Sequence, residues 1–157
     1  MDTSPVQYMA RTRAFYEAQG FEKAYAWAHY DEVPFTPLPK PLGECVLGVI
    51  TTAALYEREA TDPRYVAHAS TAEPPLRLWA NDLSWDKHAT HMDDRSSYLP
   101  LEHLHAEVAA GRVGYLAQRF YCAPTDYSIR RTTEVDSATI LDLCIEDEVD
   151  VALLIPL

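Results

Sequence analysis

Residues 45–53 form a continuous run of mostly apolar, partly β-branched side chains, and this run limits the folds open to the chain. A strand that is apolar at successive positions is typical of a parallel sheet, where both faces are covered. A second run of this kind covers residues 149–157. Because helical patterns lie between the two runs, we predict an α/β fold whose sheet is mainly parallel.

Two helices are predicted between these runs. Leu101, Leu104 and Val108 fall on one face of a helix over residues 100–110, which Gly111 would end. A second helix is predicted from an N-cap at Asp136 to about residue 147.

Shorter strands are predicted over residues 113–121 and 76–79. Otherwise residues 55–98 are polar and show no clear periodicity. A long irregular stretch inside a compact domain is typical of a functional loop, and we interpret this one so.

The N-terminal residues are predicted to form a helical arm. Ser4 and Pro5 are typical of a helix start, and Gly20 is typical of a helix end. A second short helix is predicted over residues 21–29. We therefore divide one α/β domain, residues 1–157, into three parts: the arm (1–33), a Pro-rich connector (34–44) and the core (45–157).

Net charge argues against two classes of partner. The chain has 13 basic and 24 acidic residues, a formal net charge of −11. Nucleic acids and anionic membrane surfaces select for clustered lysine and arginine, so we expect neither as a partner.

No apolar run approaches the roughly 18–20 residues of a membrane-spanning helix. With no signal-peptide pattern and only three scattered cysteines, the sequence predicts a cytoplasmic protein.

Common catalytic and nucleotide-binding motifs are missing from the sequence. It contains neither of the glycine-rich phosphate-binding patterns, GxGxxG and GxxxxGK[ST]. It also lacks the GxSxG pattern that carries the nucleophile of α/β-hydrolases. Nucleotide cradles and a serine nucleophile of these types are therefore not expected.

The densest polar cluster contains two histidines, two aspartates and one arginine: His88, His91, Asp93, Asp94 and Arg95. Imidazoles and carboxylates at this spacing suit a divalent metal at His88 and His91. They equally suit an acid/base pair, or a solvated polar loop. The residues alone leave these alternatives open.

Other candidate residues follow the predicted strands. Thr51 and Thr52 lie where the first predicted strand ends. Hydroxyls at that position either bind a ligand carboxylate or phosphate, or are simply the polar residues that usually end a strand. Cys122 is expected to be the most exposed of the three cysteines, whereas Cys45 and Cys144 are expected in the core. Arg130 and Arg131 suit an acid substrate, which would bind through the guanidinium fork, but we interpret them as a surface charge pair.

Four segments carry a family resemblance by their order and spacing. The first is the Pro-rich segment that runs into the first strand and its paired threonines, residues 34–53. The second, residues 91–104, joins His-Met-Asp-Asp-Arg to a Pro-Leu-x-x-Leu pattern. The others are residues 111–121 and 138–156. Together they resemble the selenoprotein B family of glycine, betaine, sarcosine and D-proline reductases, over most of the chain from residue 34.

The resemblance implies a Rossmann-like, three-layer α/β fold and reductive cleavage of a carbon–heteroatom bond of the C–N type. In that family a selenolate or thiolate attacks an activated carbon and expels the amine. The nucleophile follows the strand that resembles residues 149–157, so we expect selenocysteine or cysteine directly after Leu157. Either a UGA codon read as a stop or a natural short form without the redox loop explains why the sequence ends there.

The resemblance also suggests roles for the candidate residues. His88 and His91 would protonate the leaving group, and Asp93 or Asp94 would orient an imidazole. Substrate binding is assigned to Thr51, Thr52, Arg95 and Cys122.

The expected partners are a small-molecule substrate, such as an amino acid or another small acid, and a thiol or thioredoxin-type electron donor. We expect residues 1–157 alone to be inactive and to form a homo-oligomer. Two alternatives belong to other classes: a metal-dependent enzyme built on His88, His91 and Asp93, and a non-catalytic α/β module that oligomerises through its last strand.

Overall fold

A computed structural model describes residues 7–59, 61–80, 91–126 and 128–157. The chain divides into two compact units, residues 1–35 and residues 36–157. Among the described residues no helix is long and apolar enough to cross a membrane.

Among residues 7–35 the structure contains one helix, α1 (Tyr8–Ala18), where the sequence predicts two. The predicted start at Ser4 lies outside the described residues, and the end before Gly20 is confirmed. The predicted helix over residues 21–29 is wrong, because that segment is not helical. Its aromatic rings contact one another and α1 instead, with Tyr25 stacked on Tyr16 at 5.1 Å. A helix this short has little stability of its own, so such contacts decide the conformation.

The second unit is built on one sheet of five strands, which confirms a mixed α/β fold with mostly parallel pairing. Strand β1 is parallel to β3, β4 and β5, whereas β2 runs antiparallel to β4. The strands are β1 (Val46–Thr51), β2 (Ala67–Ser70), β3 (Tyr115–Leu116), β4 (Arg119–Cys122) and β5 (Val151–Ile155).

Strand β1 occupies the centre of the sheet. Leu47 pairs with Leu116 of β3 on one side and with Val151 of β5 on the other. Five of the six residues of β1 are buried, as the sequence predicts for a strand covered on both faces.

The strand predicted over residues 113–121 is interrupted. The carbonyls of Ala117 and Gln118 accept hydrogen bonds from Thr71, which separates β3 from β4. Gly114 allows the start of this segment to approach β1, since a Cβ there would lie 2.6 Å from the carbonyl oxygen of Cys45.

Two expectations for residues 55–98 are corrected. Strand β2 lies in a stretch without strand periodicity and was not expected. Residues 76–79 do not form a strand; Trp79 makes a single antiparallel bridge to Ala54.

Helix α2 (Leu101–Ala109) confirms the helix predicted over residues 100–110, and it ends before Gly111 as expected. The later helical segment begins earlier than predicted. Helix α3 (Ile129–Arg131) continues through a π-helical turn (Thr132–Asp136) into α4 (Ser137–Glu146).

Asp136 is therefore not an N-cap. Its backbone is helical, and its side chain makes no capping hydrogen bond to α4. The carboxylate is engaged elsewhere in the fold, as described below.

Strand β5 is exposed, although the sequence predicts a buried strand. Leu154 is 67% exposed, and Leu153 is also exposed. In the described part of the chain β5 pairs with β1 alone, so its outer edge is uncovered. Leu141 and Ile145, one turn apart on α4, are exposed as well. An apolar run shows that a strand is suited to burial, but it does not show whether a neighbour covers it.

An ion-pair network joins β4 to the segment that follows α4. The Arg119 guanidinium donates to Asp147 at 2.7 and 2.9 Å, and the Tyr121 hydroxyl donates to the same carboxylate at 2.6 Å. These bonds stabilise the ionised carboxylate, so Arg119 first and Tyr121 next hold the pKa of Asp147 below its ordinary value of 3.8.

We predict that Asp147→Asn lowers the free energy of unfolding by about 2 kcal/mol at neutral pH, because charge-assisted hydrogen bonds are lost. A group with a depressed folded pKa stabilises the fold above its unfolded pKa and loses this effect as the pH falls through the folded value. The difference between wild type and variant should therefore shrink below about pH 4 in chemical denaturation. Asp142→Asn, on the exposed surface of α4, is the control. An equal, pH-independent loss in both variants would contradict the assignment.

Candidate functional site

The carboxyl ends of β1, β4 and β5 meet at one edge of the sheet, because these strands are parallel. In the register Thr51, the last residue of β1, lies between Cys122 of β4 and Ile155 of β5. Ligands of open α/β sheets bind at the edge where the strands end. This carboxyl edge is the candidate site.

Both threonines predicted to bind substrate lie at this edge. Thr51 is buried, and its hydroxyl oxygen accepts a hydrogen bond from the backbone N–H of Ala53 at 3.2 Å. The Thr52 hydroxyl oxygen accepts from the backbone N–H of Leu157 at 2.7 Å. Thr52 therefore ties the segment after β5 to the end of β1.

Cys122 is at the same edge, but the expectation that it is exposed is wrong. It is fully buried in the core cluster with Val49 and Phe120. Burial raises the pKa of the Cys122 thiol to about 12. The thiol is therefore protonated at neutral pH, which does not suit a nucleophile, and its role in substrate binding stays a prediction.

The predicted acid/base cluster lies in a surface turn. His91 Nδ1 is 3.6 Å from an Asp93 carboxylate oxygen, and both side chains are exposed. Asp94 caps the turn Arg95–Ser97, since its Oδ1 accepts from the backbone N–H of Ser96 at 3.1 Å. His88 lies outside the described residues.

Arg95 holds this turn against its neighbours. Its guanidinium donates to the carbonyl of Pro75 at 2.9 Å and pairs with Glu102 on α2. Among the described residues, no hydrogen bond or ion pair joins residues 91–95 to Thr51, Thr52 or Cys122. The structure thus brings the two threonines together but does not link them to the histidine cluster through such contacts.

A metal site is not found in the described ranges, where no group of three or more histidine, cysteine, aspartate or glutamate side chains is suited to hold an ion. Because His88 is outside these ranges, the metal-dependent alternative stays a prediction.

The most constrained polar group near the carboxyl edge is Arg64, which was not predicted. Its side chain is only 7% exposed. The guanidinium donates to the carbonyl of Pro124 at 2.6 Å and to Asp136 Oδ1 at 2.8 Å, while Asp126 Oδ2 lies 3.7 Å away. Arg64 therefore connects the loop before β2, the loop after β4 and the π-helical turn.

Sequence patterns offered no signal for this group. Arg64 lies in the stretch without periodicity, and 72 positions separate it from Asp136. The contacts of Arg64 are held close to the sheet by Ala123, next to Pro124. Ala123 donates its backbone N–H to the carbonyl of Thr51 at 2.9 Å. Buried charges are retained in proteins where they are paired, and here each has a partner of opposite sign.

Comparison of the chain with protein-family models, curated proteins and solved structures finds no match in any of the three. The resemblance of the sequence to the selenoprotein B family therefore remains a proposal.

We predict that the folded protein of residues 1–157 reacts slowly with a thiol reagent such as dithionitrobenzoate. Cys45 and Cys122 are buried and Cys144 is half-buried, and burial raises the pKa of both Cys122 and Cys144. Of the three, Cys144 should react first, and all three should react at once in denaturant. Peptide mapping of the labelled protein identifies the order. Fast labelling of Cys122 in the folded protein would contradict the burial described above.

Proposed function

We propose that this chain is the substrate-positioning part of a reductase of the selenoprotein B type, which cleaves a C–N bond in a small molecule. The nucleophile would be a selenolate or thiolate located directly after Leu157 in the full protein. Support comes from the four sequence segments and from the position of the last strand in the sheet.

The observation that carries the proposal is the contact between the segment after β5 and the end of β1. The backbone N–H of Leu157 binds the hydroxyl oxygen of Thr52 at 2.7 Å. A residue directly after Leu157 would therefore start from the carboxyl edge, beside the ends of β1 and β4. This is the position at which α/β sheets bind their ligands.

The proposed reaction is a two-electron reduction. The selenolate or thiolate electron pair forms a bond to the activated carbon, and the C–N electron pair leaves with the amine, which takes up any proton it needs. The thiols of a thiol or thioredoxin-type donor then attack the selenium or sulfur, so that the Se–C or S–C bond breaks and its electron pair goes to the carbon, which takes up one proton. The donor is oxidised to a disulfide. The reduced product leaves and the nucleophile is regenerated.

Residues 1–157 would bind the substrate and donate protons to it, and the nucleophile would be the residue after Leu157. None of its three cysteines is exposed. We propose that His91, paired with Asp93, donates a proton near the leaving amine, with His88 as its companion. Thr52 and Arg95 would hold the polar end of the substrate.

A Rossmann-like, three-layer arrangement is part of the proposal. Leu101 and Leu104 of α2 pack on the cluster that contains Val49 and Phe120. Side chains alternate along a strand, so Tyr121 lies on the opposite face from Phe120, where it binds Asp147 after α4. Helices on two faces of a parallel sheet are typical of doubly wound folds.

A second candidate function is an oligomerising module, and the exposed strand β5 favours it. Its outer edge carries no charged side chain, and Leu153 and Leu154 are exposed. Such an edge is suited to pair with another copy of the chain. Sedimentation equilibrium tests this second function, because a monomer at all concentrations would rule out the oligomerising module.

We predict that residues 1–157 alone release no amine from small amino acids in the presence of dithiothreitol, because their cysteines are buried or half-buried. Ammonia or amine release is measured against a sample without protein. The full product of the native gene, made in a host that inserts selenocysteine, is the positive arm and should show turnover. Turnover by residues 1–157, or none by the full product with any small amino acid, would contradict the proposed function.

A further inference from the structure

A cavity of about 390 Å³ lies between the Arg64 loop and the helical segment before α4. This volume is in the range of small-molecule sites, about 300–1,000 Å³. Its lining combines the apolar side chains of Val66 and Val135 with charged groups of both signs. The charged lining residues are Arg64, Arg130, Arg131, Glu134 and Asp136.

One carboxylate oxygen in this cavity has no hydrogen-bond donor. Asp136 is 3% exposed, and its Oδ1 accepts from Arg64. Its Oδ2 is buried and has no partner among the residues that the structure describes. A buried polar atom without a partner is rare, because its desolvation is not compensated. The oxygen thus lacks the donor that its burial calls for, and a ligand that reaches it from the cavity would supply one.

The backbone at this position is also unusual. Asp136 is the last residue of the π-helical turn between α3 and α4. Turns of this kind are uncommon inside helices and are frequent at functional sites. Asp136 occupies this turn while its carboxylate remains bound to Arg64, which lies on a separate loop.

The cavity lining carries three arginines and two carboxylates, in a chain whose formal net charge is −11. Arg131 lies 3.3 Å from Asp126, and Arg130 lies 3.4 Å from Glu134. Arg131 is 51% exposed and its ion pair is long, so its guanidinium is able to reach a ligand anion. A site with both signs of charge suits a ligand that carries both, rather than a simple anion or cation.

We propose that this cavity binds a small zwitterion, with its ammonium group donating to Asp136 Oδ2 and its carboxylate facing Arg131. The contacts above support binding by themselves. Thr52 and Arg95, which hold the substrate in the proposed function, do not line this cavity, so the zwitterion is a ligand of a separate site. That site adjoins the carboxyl edge, because Arg64 binds Pro124, which follows the end of β4.

The test uses residues 1–157 and measures binding rather than turnover. A panel of proteinogenic α-amino acids is screened at millimolar concentration for a rise in melting temperature, and the strongest is titrated by calorimetry. Its analogue without the amino group and its analogue without the carboxylate are titrated in parallel. We expect at least one amino acid to bind, and both analogues to bind at least about tenfold more weakly.

Two variants locate the site. Asp136→Asn should weaken binding by about tenfold or more, and Arg131→Gln should do the same without disturbing the buried Arg64 pair. Arg112→Gln, an exposed arginine paired with Glu107 away from the cavity, is the control and should bind as wild type does. If Asp136→Asn does not fold, the comparison of Arg131→Gln with Arg112→Gln decides.

Three results would overturn the inference: no amino acid binds, either analogue binds as well as its parent, or Arg131→Gln binds as tightly as Arg112→Gln. None of these results bears on the nucleophile after Leu157, which the turnover assay tests. The failure of this inference is therefore distinguishable from the failure of the proposed function.

Discussion

The central strand β1 is the element on which the rest of the sheet depends, because it pairs along both edges and is buried on both faces. Its three partner strands are all parallel to it. The carboxyl ends of β4 and β5 meet that of β1 at a single edge, beside Thr51. The buried guanidinium of Arg64 then fixes two loops and a helical turn close to that edge, through Pro124 and Asp136.

Parts of the fold with strong periodic signals were predictable. In both β1 and α2 the spacing of the apolar residues indicates a buried surface, and both elements are confirmed. Strand β2 has the sequence Ala-His-Ala-Ser, which carries no strand signal, and pairing with β4 decides its conformation. For β5 the pattern predicted the strand, but its exposure depends on neighbours that periodicity does not report.

The candidate site likewise contains residues that local sequence predicts and residues that it does not. The position of Thr51 and Thr52 at a strand end follows from local sequence, and the structure places both at the carboxyl edge. The pairing of Arg64 with Asp136 joins residues far apart in the chain and left no local pattern. Cys122 was expected to be the most exposed of the three cysteines, but the last residue of β4 faces the core.

The proposed function requires a selenolate or thiolate nucleophile directly after Leu157, at the carboxyl edge. Reading the native gene past the codon for Leu157 tests it most directly. We predict a TGA or a cysteine codon at the next position, followed by an open reading frame. A TAA or TAG codon, a TGA without a frame beyond it, or a frame that places neither cysteine nor selenocysteine after Leu157 would contradict the claim.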